Sequence, residues 1–170
     1  MLRPLLACSL LLAAALLRAE TPAAPAAAPL EAEVGALVAG PHVTVVHFWA
    51  PWCPNCRAEM TPGGWAKFIA ANPDVKFVFL NVWHRGQDPA PKLQAGQLGG
   101  QPNLTLLTHP SAVSKSGPDR LNTFLGLPLT WLPTTWVFRD GRLRYALNYG
   151  EVRFEMLQTL VNDTRDPWSH

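Results

Sequence analysis

Cysteine is scarce in this chain, since only Cys8, Cys53 and Cys56 occur among its 170 residues. Cys8 lies in an apolar N-terminal stretch that we expect to be removed, so the mature protein holds one cysteine pair. A metal site would need two further ligands, and the candidate histidines, His47 among them, stand singly along the chain. The sequence therefore predicts no metal site and no cofactor.

A hydrophobic run long enough to cross a bilayer is also missing. The apolar stretch at residues 5–17 is shorter than the ~20 residues that a transmembrane helix needs. Because a basic start precedes this stretch and small Ala19 follows it, residues 1–19 predict a secretory signal peptide. An uncleaved signal anchor, which would tether the protein to the membrane, is the alternative.

Net charge disappears once the predicted signal peptide is removed. Of the 14 Lys and Arg residues, Arg3 and Arg18 are lost, and the remaining 12 match the 12 Asp and Glu residues. A chain without excess positive charge gives no indication of a nucleic-acid partner. Residues 20–29, rich in Pro and Ala, predict an extended tether. Residues 30–170 show no repeat and no second block of composition, so they predict one domain.

Two apolar runs flank the cysteine pair and predict buried strands. Residues 43–50 (VTVVHFWA) are apolar on both alternating faces, and residues 75–82 (VKFVFLNV) have the same character. Between them, small and apolar positions recur at helical spacing, and Pro62 predicts a kink in that helix. Strand, helix and strand within about forty residues make a right-handed βαβ unit.

The segments before and after this unit are expected to complete an α/β fold. Residues 31–38 predict a helix that ends at Gly40-Pro41. A stretch rich in Gly, Pro and Gln follows the βαβ unit. Within and after it, residues 92–98 predict a short helix, residues 104–108 a strand and residues 119–125 another helix.

The C-terminal part predicts a hairpin and a helix. Residues 132–138 and 143–147 read as two strands joined through Asp140-Gly141. Residues 152–161 then predict an amphipathic helix. Its expected buried stripe consists of Val152, Met156, Leu157, Leu160 and Val161.

The cysteine pair follows the first strand directly. A helix that begins there places Cys53 at the positive end of its dipole, where a thiolate is stabilised. Cys53 is then the predicted nucleophile toward a disulfide, and Cys56 the thiol that resolves the mixed disulfide. Pro54 and Asn55 set the stiffness of the turn and the donors near the Cys53 sulfur, and both are candidate substrate-binding residues. A static disulfide is the alternative, although so short a loop gives little stabilisation.

Two sequence blocks resemble a known family. FWAPWCPNC with RAEM after it, and LPTTWVFRDGRL eighty positions later, are similar to the signature blocks of thioredoxin-fold proteins, in particular the secreted TlpA/ResA-like branch. The resemblance implies an α/β fold, a thioredoxin-like three-layer sandwich with a central mixed sheet flanked by helices. It also implies a thiol-disulfide oxidoreductase located in the bacterial periplasm or cell envelope.

The second block supplies the predicted substrate platform. Pro133 resembles the family's cis-proline, which faces the dithiol and offers neighbouring backbone for strand-like pairing with a bound peptide. Leu132 and Thr134 therefore count as candidate substrate-binding residues. Trp52 and Trp49 flank the cysteines and could form an apolar collar for a peptide. The alternative is that Trp49 belongs to the core and Trp52 is partly exposed surface.

Two ionisable residues are candidates for handling protons. His47 stands where thioredoxins usually carry a buried Asp and TlpA-like members often an Asn, so it could accept the Cys56 proton. A core histidine bonded to backbone is the alternative. Glu59 lies three positions after Cys56, as in the TlpA-like branch, and could tune thiol acidity or shuttle a proton. An exposed helix carboxylate without a role is the alternative there.

The predicted function is thiol-disulfide exchange on protein substrates. The resemblance favours a reductant that a membrane electron donor recharges. A disulfide oxidase or isomerase is the first alternative, and a non-catalytic thioredoxin-like module that binds a metal or a partner is the second.

Overall fold

The structure, a computed structural model, describes residues 29–118, 120–148 and 150–166. The predicted signal peptide and residues 20–28 of the predicted tether lie outside the described residues, so both stay predictions. Pro29, predicted as the last residue of the tether, is the first residue of a helix. In chain order the elements are α1 (Pro29–Val38), β1 (Thr44–Trp49), α2 (Pro54–Glu59), α3 (Trp65–Ala71), β2 (Lys76–Asn81), α4 (Ala90–Ala95), β3 (Leu104–Thr108), β4 (Thr123–Phe124), β5 (Leu127–Pro128), β6 (Thr134–Arg139), β7 (Arg142–Leu147) and α5 (Phe154–Arg165).

Five strands form one mixed sheet in the order β3-β2-β1-β6-β7. The first three run parallel, whereas β6 runs antiparallel to β1, and β7 antiparallel to β6. Every residue of β1 is buried, as expected for an apolar strand at the centre of a covered sheet. Within the described residues, no helix is long and apolar enough to span a membrane.

Aromatic side chains pack on both faces of the sheet. On one face, Trp65 of α3 lies between His47 of β1 and Phe154 of α5, with ring centroids 4.6 and 5.2 Å away. On the other face, Phe48 packs edge-to-face against Phe124 and Trp136. The alternation of side chains along β1 separates His47 from Phe48, so the polar histidine shares a face with α3 and α5.

Most predicted elements are present. The strands β1 and β2 begin one residue later and end one residue earlier than the sequence predicted, and β3 has its predicted bounds. The helix predicted at residues 92–98 begins at Ala90. The β6–β7 hairpin turns at Asp140 and Gly141, whose φ angles of 51° and 73° are the positive values that such tight turns require.

The helix predicted as one kinked segment around Pro62 is two helices, α2 and α3. Pro62 lacks a backbone N–H, and the two glycines after it favour the helix weakly. At Gly64 a Cβ atom would collide with the carbonyl oxygen of Glu59, so this position accepts glycine only. The chain therefore breaks completely between Glu59 and Trp65, where the sequence predicted a kink.

The helix predicted at residues 119–125 is wrong. The chain there forms the small β4–β5 hairpin, in which Phe124 pairs with Leu127. Leu125 and Gly126 occupy the turn with φ angles of 50° and 69°, so the local Leu-Gly turn overrides the helical spacing. In this hairpin the side chain of Phe124 is fully buried against Phe48 of the sheet.

The last helix differs from its prediction in extent and in its buried face. It runs from Phe154 to Arg165, and Leu157, Val161 and Thr164 are its buried residues. These three follow the i, i+4, i+7 spacing of one helix face. Met156, predicted to lie on the inner stripe, is 47% exposed.

Candidate active site

The two cysteines are joined by a disulfide at the start of α2. Cys53 is the N-cap residue and Pro54 the first helical residue, a position where the missing N–H of proline leaves no bond unmade. The backbone N–H of Cys56 donates to Sγ of Cys53 over 3.3 Å. Cys53 is 4% exposed and Cys56 is 0% exposed. A disulfide partner can therefore reach only the first cysteine.

The peptide bond between Leu132 and Pro133 is cis. Because Phe48 pairs with Thr134, Pro133 lies beside the end of β1, where the chain turns toward Cys53. The side chains of Leu132 and Thr134 are buried, and the Thr134 hydroxyl donates to the carbonyl of Trp131 over 3.0 Å. Substrate contact at Leu132 and Thr134 would therefore use their backbone, as expected for strand-like pairing.

A groove of about 560 Å³ lies next to these residues. Asn55 from the cysteine turn and Pro133 line one part of it, and Met156 from α5 lines another. The groove thus joins the two predicted blocks of the site. The exposure of Met156 places an adaptable apolar side chain in a groove that can hold a peptide.

His47 and Glu59 meet beneath α2. Nε2 of His47 lies 3.3 Å from Oε2 of Glu59, and both side chains are buried. The Nδ1 atom of His47 lies 2.9 Å from the hydroxyl of Thr135, its cross-strand neighbour in β6. His47 is therefore a core histidine, but its partners are side chains and not the backbone that the alternative reading assumed.

Glu59 is 3% exposed, so the reading of it as an exposed helix carboxylate is wrong. The indole N–H of Trp65 donates to its Oε2 over 3.2 Å. The backbone N–H of Val152, from the loop before α5, donates to its Oε1 over 2.5 Å. The carboxyl group thus connects the cysteine helix with two other parts of the chain.

Burial sets the protonation of this pair. Burial lowers the pKa of His47 from 6.5 to about 3, because the imidazolium ion loses its hydration. Burial also raises the pKa of Glu59 from 4.5 to about 7, although the hydrogen bonds from Val152 and Trp65 oppose that rise. Between about pH 3 and pH 7 the imidazole of His47 is therefore neutral and the carboxyl group of Glu59 holds the proton. The contact of 3.3 Å is therefore not an ion pair in weakly acidic solution.

The two tryptophans that flank the cysteines lie in different environments. Trp52 is half-buried, and its indole N–H donates to the carbonyl of Trp83 over 2.6 Å. Trp49 is fully buried in the core, as its alternative reading held.

Within residues 29–118, 120–148 and 150–166, no group of three His, Cys, Asp or Glu side chains is arranged to hold a metal ion.

Sequence reasoning missed three partners of the buried pair: Trp65, Thr135 and Val152. Thr135 carried a signal, because it follows Pro133 by two residues on a strand that had to pair near the active site. Trp65 and Val152 carried none, since their contacts with Glu59 depend on how α3 and α5 pack.

The sequence profile of the thioredoxin-like domain family matches residues 31–165. The chain belongs to this family. Membership confirms the predicted α/β fold, and the cysteine pair at the start of α2 is that of a thioredoxin-like thiol-disulfide oxidoreductase. No curated protein matches the chain in sequence.

Solved structures of other thioredoxin-like proteins have the same fold. StoA from Bacillus subtilis is 20% identical, with a TM-score of 0.51 over 71% of this chain and 82% of that one. A secreted Mycobacterium tuberculosis disulfide oxidoreductase homologous to E. coli DsbE is 24% identical, with a TM-score of 0.53 over 75% and 85%. A thiol:disulfide interchange protein from Chlorobium tepidum TLS is 15% identical, with a TM-score of 0.54 over 77% and 85%.

Proposed function

We propose that this thioredoxin-like protein reduces disulfides of protein substrates in the cell envelope. The observation that carries the proposal is the pairing of Cys53, which keeps 4% of its surface exposed, with the fully buried Cys56 beside cis-Pro133. The predicted signal peptide supports an exported location. So does the likeness in fold to the M. tuberculosis protein, which is described as secreted.

The exchange proceeds in two balanced steps. The Cys53 thiolate attacks one sulfur of the substrate disulfide, forms a mixed disulfide, and releases the other substrate sulfur as a thiolate that takes up a proton. Cys56 then loses its proton and attacks Sγ of Cys53, which releases the second substrate thiolate. Two electrons move from the cysteine pair to the substrate, and the protein ends as the Cys53–Cys56 disulfide. A membrane electron donor would return the pair to the dithiol.

Glu59 is the proposed proton acceptor for Cys56, and His47 is the proposed partner of its carboxyl group. Cys56 and Glu59 are both buried residues of α2 and lie three positions apart, so they share one helix face. A carboxyl group with a pKa of about 7 is matched to proton transfer near neutral pH. The imidazole of His47 has a pKa of about 3 and stays neutral, so its Nε2 atom, 3.3 Å from the carboxyl, can accept a hydrogen bond from the protonated form of Glu59.

The reduced protein is expected to transfer its electrons stoichiometrically to a disulfide-bonded protein such as insulin. One Cys53–Cys56 disulfide should form for each substrate disulfide lost, because the exchange moves two electrons per event. Thiol alkylation with mass spectrometry counts both products. Substrate disulfides that stay intact while the cysteine pair stays reduced would contradict the proposed function.

A further inference from the structure

A cluster of aromatic and basic side chains borders Cys53 and has no part in the exchange steps above. It consists of Trp52, Arg85, Lys115 and Trp131 and is called the cationic surface here. The guanidinium carbon of Arg85 lies 4.0 Å from the centroid of the Trp52 ring. Nζ of Lys115 lies 4.6 Å from the Trp131 ring and 6.0 Å from the Trp52 ring. Both cations are therefore held against aromatic faces.

The cationic surface adjoins both sequence blocks of the active site. Trp52 directly precedes Cys53, and Trp131 stands two residues before cis-Pro133. Arg85 is exposed, Trp52 is half-buried, and Trp131 is 43% exposed. A segment bound on this surface would therefore lie beside the cysteine that attacks the substrate.

The backbone around Arg85 is built to hold this arrangement. Trp83 and Arg85 have φ angles of 49° and 55°, a left-handed conformation that is unfavourable for residues with a Cβ atom. The N–H groups of Trp83 and Arg85 donate to the carbonyls of Ala112 and Val113 over 2.5 and 2.9 Å. These bonds tie the Arg85 segment to the one that carries Lys115. Such strain, maintained by surrounding bonds, is characteristic of functional sites.

The charges of this surface favour an anionic ligand. Across the described residues, no carboxylate forms an ion pair with Arg85 or Lys115. Arg120 is a further cation of this region: its guanidinium carbon lies 5.2 Å from the Trp83 ring, and its Nη2 donates to the Thr130 carbonyl over 3.2 Å. Positive charges close together repel each other, and a bound carboxylate relieves that repulsion.

We propose that the cationic surface binds an acidic segment of the protein substrate and presents the neighbouring disulfide to Cys53. The inference rests on the proposed function, since it names the substrate class of the same site. Stacking on Trp52 leaves the edge of the Arg85 guanidinium open for two parallel bonds to a carboxylate. Because the ring already orders the arginine, less side-chain entropy is lost when the carboxylate binds.

The test uses three peptides that contain the same disulfide loop but differ in the residues flanking it. One has Asp and Glu flanks, one has Asn and Ser flanks, and one has Lys and Arg flanks. A thiol reductant in excess returns the Cys53–Cys56 disulfide to the dithiol after each turnover. At low salt, kcat/KM for the acidic peptide is expected to exceed that for the neutral peptide about tenfold, mainly through KM. The basic peptide is expected to be the poorest substrate. Added salt should reduce the preference, because the contacts lie at the surface.

Two double variants locate the effect. Arg85→Gln with Lys115→Gln removes two charges from the cationic surface and is expected to bring the acidic-to-neutral ratio close to one. Lys76→Gln with Arg142→Gln removes the same charge at the opposite end of the sheet, where β1 begins and β6 ends. The ratio is expected to stay near its original value in this matched control.

Two outcomes would overturn the inference. One is an equal kcat/KM of the native protein for acidic and neutral peptides. The other is an equal loss of kcat on all three peptides in the Arg85 and Lys115 variant, which would mean that the cations act on Cys53 itself. Reduction of bis(2-hydroxyethyl) disulfide, a small and uncharged substrate, distinguishes a failure of the docking inference from a failure of the proposed function. If it is reduced while the peptides are not distinguished, only the docking inference fails. If no disulfide is reduced, the proposed function fails.

Discussion

Replacement of Cys56 by serine is expected to trap the protein as a covalent adduct with its substrate. Cys53 keeps its position and its access to solvent, so the first attack still occurs. The mixed disulfide then persists, because the thiol that should attack Sγ of Cys53 is gone. Multiple-turnover reduction should fall by about 1000-fold or more. Non-reducing electrophoresis and mass spectrometry of the adduct measure the effect.

The matched control is replacement of Cys53 by serine. Cys56 has no exposed surface, so it cannot reach a protein disulfide by itself. This variant should therefore form no adduct and show no turnover. An adduct on Cys56 in the Cys53 variant, or none in the Cys56 variant, would contradict the assigned order of the two thiols.

The variants His47→Gln and Glu59→Gln are expected to change the pH dependence of stability in opposite directions. Between about pH 3 and 6.5 the unfolded chain binds one proton at His47 that the folded protein does not bind. Wild-type stability from this residue therefore rises with pH in that window, by about 1.4 kcal/mol per pH unit. The His47→Gln variant lacks this dependence, so the wild type should lose its advantage over it as the pH falls below 6.5.

For Glu59 the sign is reversed. Between about pH 4.5 and 7 the folded protein holds a proton on Glu59 that the unfolded chain has released. Stability from this residue therefore falls as the pH rises through that window. The Glu59→Gln variant should gain relative to wild type over the same range. In the wild type the two slopes oppose each other between about pH 4.5 and 6.5.

Urea unfolding of the oxidised proteins from pH 4 to 8 measures both differences. A loss of packing or of one hydrogen bond shifts stability by the same amount at every pH, so the slope isolates the titration. Parallel curves for wild type and His47→Gln between pH 4 and 6.5 would show that His47 is protonated inside the fold.

The Glu59→Gln variant is also expected to slow the resolving step at least about tenfold near neutral pH, because a proton acceptor is removed.

Local sequence patterns were sufficient for the centre of the fold. The continuous apolar runs of β1 and β2 can only be buried between two layers, and Asp140-Gly141 specifies its own turn. The cysteine pair after β1 and the Pro133 block were also recognisable from residues close in sequence. These elements and the family were predicted because each depends on local chemistry.

The remaining features depend on contacts between distant segments. The burial of Glu59 requires an N–H from Val152 and the indole of Trp65, and no local pattern brings these together. The segment before Gly126 has helical spacing, yet burial of Phe124 against Phe48 and a tight turn give a hairpin. The cationic surface brings Arg85 next to Trp52 and Lys115, which are 30 or more positions away from it in the sequence. This arrangement includes left-handed backbone at Trp83 and Arg85.

The equilibrium reduction potential of the Cys53–Cys56 pair is the most direct test of the central claim that the protein is a reductant. The protein without its predicted signal peptide, starting at Glu20, is equilibrated in graded thiol and disulfide buffers, and the free thiols are counted. A potential near or below about −250 mV is predicted, as for a thiol pair that donates electrons and needs an upstream donor. A potential of about −120 to −180 mV, as in oxidases and isomerases, would contradict the claim.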